Sequence, residues 1–199
     1  MIERRAATGI VLAGGRSSRY GSDKLAVELD GRPLLHHAVA ALGLVCREVL
    51  VVVAIDETPD LPRTAGVVVR AVHDPESFGG PLVGLGAGLA AASHPIALVV
   101  GGDMPRLSAV VLELLLDAVG SAEAAILEVA GDRRQTLPMA LRVAPARTAH
   151  ERVREADGRS LRQLLDELEV SRIPVATWRA LDASGSTILD IDRPSDLPT

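Results

Sequence analysis

The chain runs from Thr8-Gly-Ile-Val-Leu-Ala13 directly into Gly14-Gly-Arg-Ser-Ser-Arg-Tyr-Gly-Ser-Asp-Lys24. The first segment is a continuous apolar run of strand length, which suits a strand covered on both faces rather than one face in water. The second opens on two glycines and places Arg16, Arg19 and Lys24 between residues 14 and 24. In open α/β sheets, ligands gather at the carboxyl ends of strands. Gly14 and Gly15 permit positive φ and close backbone approach. Successive N–H groups in such a turn form a concavity for anions. Strand, glycines and cations in that order suit a triphosphate; a glycine turn with solvated charges is the plain alternative. The P-loop pattern fails because Leu25 follows Lys24, and no G-x-G-x-x-G is present.

The same pattern continues outward. Arg47 to Val53, Gly66 to Val72 and Ile96 to Val100 read as further buried strands. Leu34, Leu35, Ala38, Val39 and Leu42 share one helical face, and Val110, Val111, Leu114, Leu115 and Ala118 share another. Ser108 is placed as the N-cap of that second helix. Gly84-Leu-Gly-Ala-Gly88 reads as a helix whose small residues allow close packing. The first hundred residues thus read β-α-β-β-α-β, an α/β domain with a parallel sheet. Ala124 to Val129 and Leu137 to Val143 are expected as strands around the turn at Gly131. Pro145 to Ala156 and Ser160 to Leu168 are expected as helices, and Ile188 to Asp192 as a short strand. No repeat or linker appears, so residues 1–199 are expected to form one domain.

Composition narrows the function classes. The chain is 48% hydrophobic and 24% charged, unlike a disordered segment. Its aromatics are Tyr20, Phe78 and Trp178, too few for a base-stacking platform. Its net charge of −5 argues against a broad nucleic-acid footprint. Cys46 is alone, no Cys-x-x-Cys seeds a zinc site, and no apolar run reaches membrane-spanning length. The expectation is a soluble cytoplasmic protein without nucleic-acid or membrane partners.

Carboxylates supply the other half of the chemistry. Asp103 follows a buried strand in Val99-Val-Gly-Gly-Asp-Met-Pro105, at the same sheet edge as the glycine loop. One such carboxylate with phosphate oxygens and water is an arrangement Mg²⁺ takes; an Asp in a turn or helix cap is the plain alternative. Asp74 ends another strand, and Asp190 and Asp192 form a third acidic group, placed on one strand face by their spacing. No nucleophile elbow is present, and the five histidines read as structural or surface residues. Positioning and electrostatics around phosphate remain, which suffice for phosphoryl or nucleotidyl transfer.

The pattern Leu12-Ala-Gly-Gly-x-Ser-x-Arg-x-Gly-x-Asp-Lys24 resembles the signature of the molybdenum cofactor guanylyltransferases of MobA type. The resemblance continues through Gly31 to Leu34, Gly80 to Gly84, Gly102 to Pro105, Gln135 to Leu141, Gly158 to Leu161 and Asp192 to Leu197, nearly the whole chain in order. It implies a Rossmann-like, three-layer α/β/α nucleotidyltransferase domain with a mostly parallel sheet. It also implies transfer of GMP from GTP to the terminal phosphate of molybdopterin, with loss of pyrophosphate. Leu12, Ala13, Gly14 and Gly15 would hold the nucleotide, and Arg19 and Lys24 its phosphates. Asp74 would contact the guanosine part, and Asp103 would bind Mg²⁺, with Asp190 or Asp192 assisting. Molybdoenzyme-maturation proteins would be the protein partners. Three departures stand out. Ala54 replaces an Asn common in the family, Tyr20 a Met, and Asp190-Ile-Asp-Arg-Pro194 an Asn-x-Asn-Thr-Pro motif. A CTP-dependent cytidylyltransferase and a non-catalytic nucleotide-binding partner are the competing readings.

Overall fold

The computed structural model describes residues 3–14, 24–76, 79–120, 122–129, 131, 135–191 and 196, with Lys24 described by its backbone alone. The elements in chain order are β1 (Arg5–Leu12), β2 (Glu28–Leu29), β3 (Arg32–Pro33), α1 (Leu34–Val45), β4 (Cys46–Ala54), β5 (Val68–Asp74), α2 (Pro81–Ala91) and β6 (Ile96–Gly101). There follow α3 (Ala109–Ala118), β7 (Ala124–Leu127), β8 (Met139–Arg142), α4 (Val143–Glu155), α5 (Leu161–Asp166), β9 (Val170–Ile173) and α6 (Val175–Arg179). Short 3₁₀ turns cover Lys24–Ala26 and Ser186–Ile188.

Seven strands form one sheet in the order β5-β4-β1-β6-β8-β7-β9, while β2 and β3 make a separate hairpin. Within the seven-stranded sheet, β8 runs against its neighbours β6 and β7 and the other pairings are parallel; β2 and β3 are antiparallel. Adjacent residues of the central strands feed opposite cores, as pleated geometry requires. Val11, Val51, Val53, Leu98 and Val100 meet α1 and α3 on one face. Ile10, Val52, Ala97 and Val99 meet α2, α4 and α5 on the other. That is the three-layer α/β/α arrangement, and continuous apolar strands follow from it because neither face sees water.

Close helix contact depends on glycine. A Cβ on Gly88 of α2 would lie 2.8 Å from Ile10 Cγ2, and one on Gly9 of β1 2.9 Å from Leu42 Cδ1. Both obstacles are branched chains inside filled cores. Gly88→Ala should therefore lower unfolding free energy by about 1–3 kcal/mol through overpacking, read by urea denaturation.

Several expectations need correction. The inward face of α3 is Val111, Leu112, Leu115 and Leu116, whereas Val110 is 46% exposed. Nearly every position of this helix is apolar, so its pattern fits several faces, and contact with α1 and the sheet selects one. Ser108 is the N-cap of α3, but its side chain makes no cap bond. Residues 188–191 form no strand; Ser186–Ile188 is a 3₁₀ turn. The sequence reading did not include β9, α6 or the β2–β3 hairpin.

Two buried carboxylates tie loops to the core. Glu48 accepts hydrogen bonds from Thr8 Oγ1 (2.8 Å), Ser93 N (3.1 Å), Ser93 Oγ (3.0 Å) and Arg70 Nη2 (3.2 Å). Burial alone pushes its carboxyl up, but these donors outweigh it and leave the group below its ordinary value. Asp182, 8% exposed, accepts from Ser184 Oγ (2.6 Å), Gly185 N (3.1 Å) and Thr187 N (2.8 Å). Here too the donors outweigh burial, bringing the carboxyl from 3.8 down to about 2. A depressed folded value adds stability above the unfolded value and loses it as pH falls through the folded one. Asp182 should thus contribute about 2 kcal/mol at neutral pH, lost between pH 3.8 and about 2. Chemical denaturation of wild type and Asp182→Ala across that range should converge at the acid end. Cys46 is fully buried, and burial pushes its thiol up to about 12, so it is inert at neutral pH.

Candidate active site

The sheet reverses its order at β1, with β4 and β5 on one side and β6 on the other. Ligands of open α/β sheets gather beyond the carboxyl ends of the strands at such a reversal, here the ends of β1 and β6. Leu12, the last residue of β1, is level with Val52 and Gly101. Ala13 N donates to Val52 O at 2.9 Å, and Gly102 N donates to Leu12 O at 3.0 Å. The start of the glycine loop and the loop carrying Asp103 are therefore tied side by side across the crevice.

The two glycines before Asp103 are required by what crowds them. A Cβ on Gly101 would fall 2.5 Å from Asp103 Oδ1, so the carboxylate folds back over that glycine. A Cβ on Gly102 would lie 3.2 Å from Leu25 Cδ2 and 3.5 Å from Ala13 Cα. Residues 12–14, 24–26 and 101–103 consequently converge on one spot. Leu25, which the sequence reading passed over, is the apolar pin between them; its place beside a basic residue was the only signal. Gly14 differs: a Cβ there would make only ordinary contact, 3.6 Å from Ala54 N. It also does not use the positive φ that the sequence reading allowed it. Neither packing nor backbone geometry demands a glycine at 14, and its exposed backbone faces the crevice mouth.

Asp74 closes the other wall. It ends β5 level with Ala54 of β4 and is 9% exposed. Oδ1 accepts from Glu76 N at 2.9 Å. Oδ2 has no hydrogen-bond donor among the described residues; it lies 3.7 Å from where a Cβ of Gly84 would sit. A buried carboxylate oxygen left open in this way is expensive unless a ligand supplies the donor. Glu76 is itself fixed by Arg154 Nη2 at 2.8 and 2.9 Å. Ala54 N reaches Glu57 Oε2 at 3.3 Å, so the backbone at 54 is already engaged.

The structure brings together Leu12, Ala13, Gly14, Asp74 and Asp103 along one sheet edge. Gly15, Arg16, Arg19, Asp192 and the Lys24 side chain lie outside the described residues. Asp190 is exposed, and residues 189–191 form no strand. That segment nonetheless reaches the site, because Ile191 N donates to Asp103 O at 3.0 Å. Four histidines meet backbone carbonyls: His36 with Asp60, His37 with Leu29, His73 with Glu57 and His150 with Leu82. Among the described residues no group of three or more His, Cys, Asp or Glu could cage a metal.

With this geometry in place, residues 9–173 match the model of the MobA-like NTP transferase domain. The chain belongs to the MobA-like NTP transferase family. It is 33% identical over 195 residues to a probable molybdenum cofactor guanylyltransferase of Chloroflexus aggregans, covering 96% of this chain and 91% of the relative. It is 39% identical over 179 residues to a molybdenum cofactor guanylyltransferase of Xanthomonas euvesicatoria, covering 88% and 86%. In fold it is similar to the molybdopterin-guanine dinucleotide biosynthesis protein A of Archaeoglobus fulgidus, with a TM-score of 0.73 at 23% identity, covering 96% and 94%. The matched family segment contains Leu12 to Gly14, Asp74 and Asp103 and ends with β9. No helix among the described residues is long and apolar enough to cross a membrane.

Proposed function

We propose that this chain, as one nucleotidyltransferase domain over residues 1–199, transfers GMP from GTP to the terminal phosphate of molybdopterin in the cytoplasm. The observation that carries the reading is the placement, at one sheet edge, of Asp103 and of a buried Asp74 whose Oδ2 has no donor among the described residues. The names borne by the Chloroflexus and Xanthomonas relatives supply the acceptor and the base. In the reaction a terminal phosphate oxygen of the pterin attacks the α-phosphorus of GTP. A P–O bond forms there, the bond to the β-phosphate breaks, and pyrophosphate leaves.

The residues divide this work. The backbone of Leu12 to Gly14, with Gly15, lies against the nucleotide, and the glycine at 14 keeps a side chain from standing between N–H groups and phosphate. Asp74 Oδ2 accepts from an N–H or O–H of the guanosine, satisfying the open acceptor. Arg19 and Lys24 meet negative charge on the departing pyrophosphate. Asp103 offers a hard oxygen donor to Mg²⁺, and the fold over Gly101 leaves that carboxylate at the crevice wall. A single protein carboxylate suits an ion that draws its other ligands from phosphate and water. When bound, Mg²⁺ offsets charge on the triphosphate. The product then passes to molybdoenzyme-maturation proteins.

The test is pyrophosphate release with molybdopterin as acceptor and GTP, CTP or ATP as donor, with and without Mg²⁺. Release with GTP and Mg²⁺ is expected; release with CTP alone would move the chain to cytidylyl transfer, and none at all would overturn catalysis.

Ala54 bears on the base. It lies level with Asp74, where a longer polar side chain would stand beside the base-recognising carboxylate. Ala54→Asn should raise discrimination for GTP over CTP by about 1–3 kcal/mol, since a wrong base leaves a buried polar group unpaired. The ratio of kcat/KM values for the two nucleotides measures it; an unchanged ratio would remove position 54 from base selection.

A further inference from the structure

The segment from Asp182 to Ile191 lies outside the sheet, yet it holds the Asp103 loop at three points. Ile191 N donates to Asp103 O at 3.0 Å, and Ser186 Oγ donates to Arg106 O at 3.3 Å. Between them, Ser108 N, at the start of α3, donates to Thr187 Oγ1 at 3.1 Å. Both ends and the middle of residues 103–108 are thereby fastened to one strap. Within the loop Met104 N donates to Gly101 O and Gly101 N to Met104 Sδ, each at 3.3 Å.

The strap is itself built to keep its shape. Asp182 gathers the Ser184 hydroxyl and the backbone N–H groups of Gly185 and Thr187. Gly185 takes the left-handed backbone, φ +67°, that lets the chain turn back under the carboxylate. Thr187 is fully buried, so its hydroxyl oxygen is held for Ser108 rather than for solvent. Gln135 Nε2 donates to Ile188 O at 3.3 Å, and Ile191 packs with Leu29 and Leu34 under the β2–β3 hairpin. A fully buried threonine whose oxygen accepts from Ser108 N thus sits beside a carboxylate that gathers donors from Ser184, Gly185, Ser186 and Thr187.

We propose that the 182–191 strap, knotted by Asp182 and keyed into the active-site loop by Thr187, sets the position of Asp103. Thr187 and Asp182 are positioning residues: neither touches substrate, and both act through the 103–108 backbone. The proposal rests on the reading of Asp103 as the phosphate-side, cation-binding carboxylate.

Thr187→Val keeps shape and burial but replaces the accepting oxygen with a methyl, while Thr187→Ser keeps the oxygen. Amide hydrogen exchange and Mg²⁺ titration of pyrophosphate release are measured on both full-length variants and on Asp103→Asn. Thr187→Val is expected to speed exchange at residues 101–108 at least fivefold, with exchange in β4 unchanged. It should raise the half-saturating Mg²⁺ concentration severalfold and lower kcat about tenfold, with KM for GTP within twofold of wild type. Thr187→Ser should restore all of these. Should Thr187→Val not fold, Ser186→Ala, which removes the tie to Arg106 together with a longer one to Asp182 Oδ1 at 3.5 Å, should give the same changes at roughly half the size. Wild-type exchange and Mg²⁺ dependence in Thr187→Val, or equal defects in Thr187→Ser, would overturn the proposal. A silent Asp103→Asn alongside accelerated loop exchange would instead overturn the role of Asp103 and leave the strap as the holder of its loop.

Discussion

Asp103→Asn should keep the melting temperature within about two degrees, lose most turnover, and need far more Mg²⁺ for what remains. The substitution preserves size and one carbonyl oxygen, so packing over Gly101 is retained. It removes the negative charge that a divalent cation would meet beside a triphosphate. Removing one preorganised electrostatic group from a comparable site costs on the order of 3 kcal/mol, a hundredfold or more in kcat. The competing role for Asp103 was as a cap for the helix after Pro105. The structure removes that alternative, because the N-cap of α3 is Ser108. A turn role remains to be separated from a cation role, and Asn serves turns about as well as Asp. A turn residue would thus leave both kcat and the Mg²⁺ titration unchanged in this variant, and that result would overturn the assignment. Isothermal titration of Mg²⁺ with bound nucleotide gives an independent readout, expected to weaken at least tenfold.

The parts of this molecule legible in the sequence are those where one physical signal dominates. β1 and β4 contain unbroken aliphatic runs, Ile10 to Leu12 and Val49 to Ala54, buried on both faces over most of their length, so period and burial agree. Gly84 and Gly88 announced a tightly packed α2, and the Ile10 and Val52 contacts give the reason. The crevice was legible because a glycine loop and an Asp each followed a strong strand. Where signals competed, the local one misled. Alternation from Ile188 to Asp192 imitates a strand, but Asp182, Ser184 and Thr187 turn the preceding backbone with side-chain hydrogen bonds, and that chemistry wins. The cluster Asp182-Ala-Ser-Gly-Ser-Thr187 carried the signal, as short polar residues around a glycine favour such turns. β9 was illegible for another reason: Ser171 and Arg172 break its apolar run, and it pairs only at the sheet edge with β7. That Asp74 Oδ2 finds no donor among the described residues could not be read from sequence at all, since it depends on tertiary contacts.

Lys24→Ala should lower kcat for nucleotidyl transfer about a hundredfold while leaving the fold intact. The backbone argument comes first. Lys24 opens the 3₁₀ turn Lys24–Ala26, and its neighbour Leu25 is pinned between α1 and Gly102. The Cα of Lys24 is thus anchored at the edge where Ala13 and Gly102 meet, and Ala at 24 keeps that anchor. The electrostatic argument follows. Charge moves onto the β-phosphate as the bond to the α-phosphorus breaks, so a cation there favours the transition state over the ground state. An ammonium lost from such a position costs on the order of 3 kcal/mol. The same reasoning predicts a split between kinetic constants. KM for GTP should change less than kcat, because ground-state triphosphate already carries its charge balanced by Mg²⁺. Lys24→Arg, which keeps the charge but changes reach and geometry, should recover part of the loss. Steady-state kinetics on the two variants, with circular dichroism melts as a control for folding, measure this. A loss confined to KM would make Lys24 a ground-state binding residue, and near-normal kinetics in Lys24→Ala would place it outside the site.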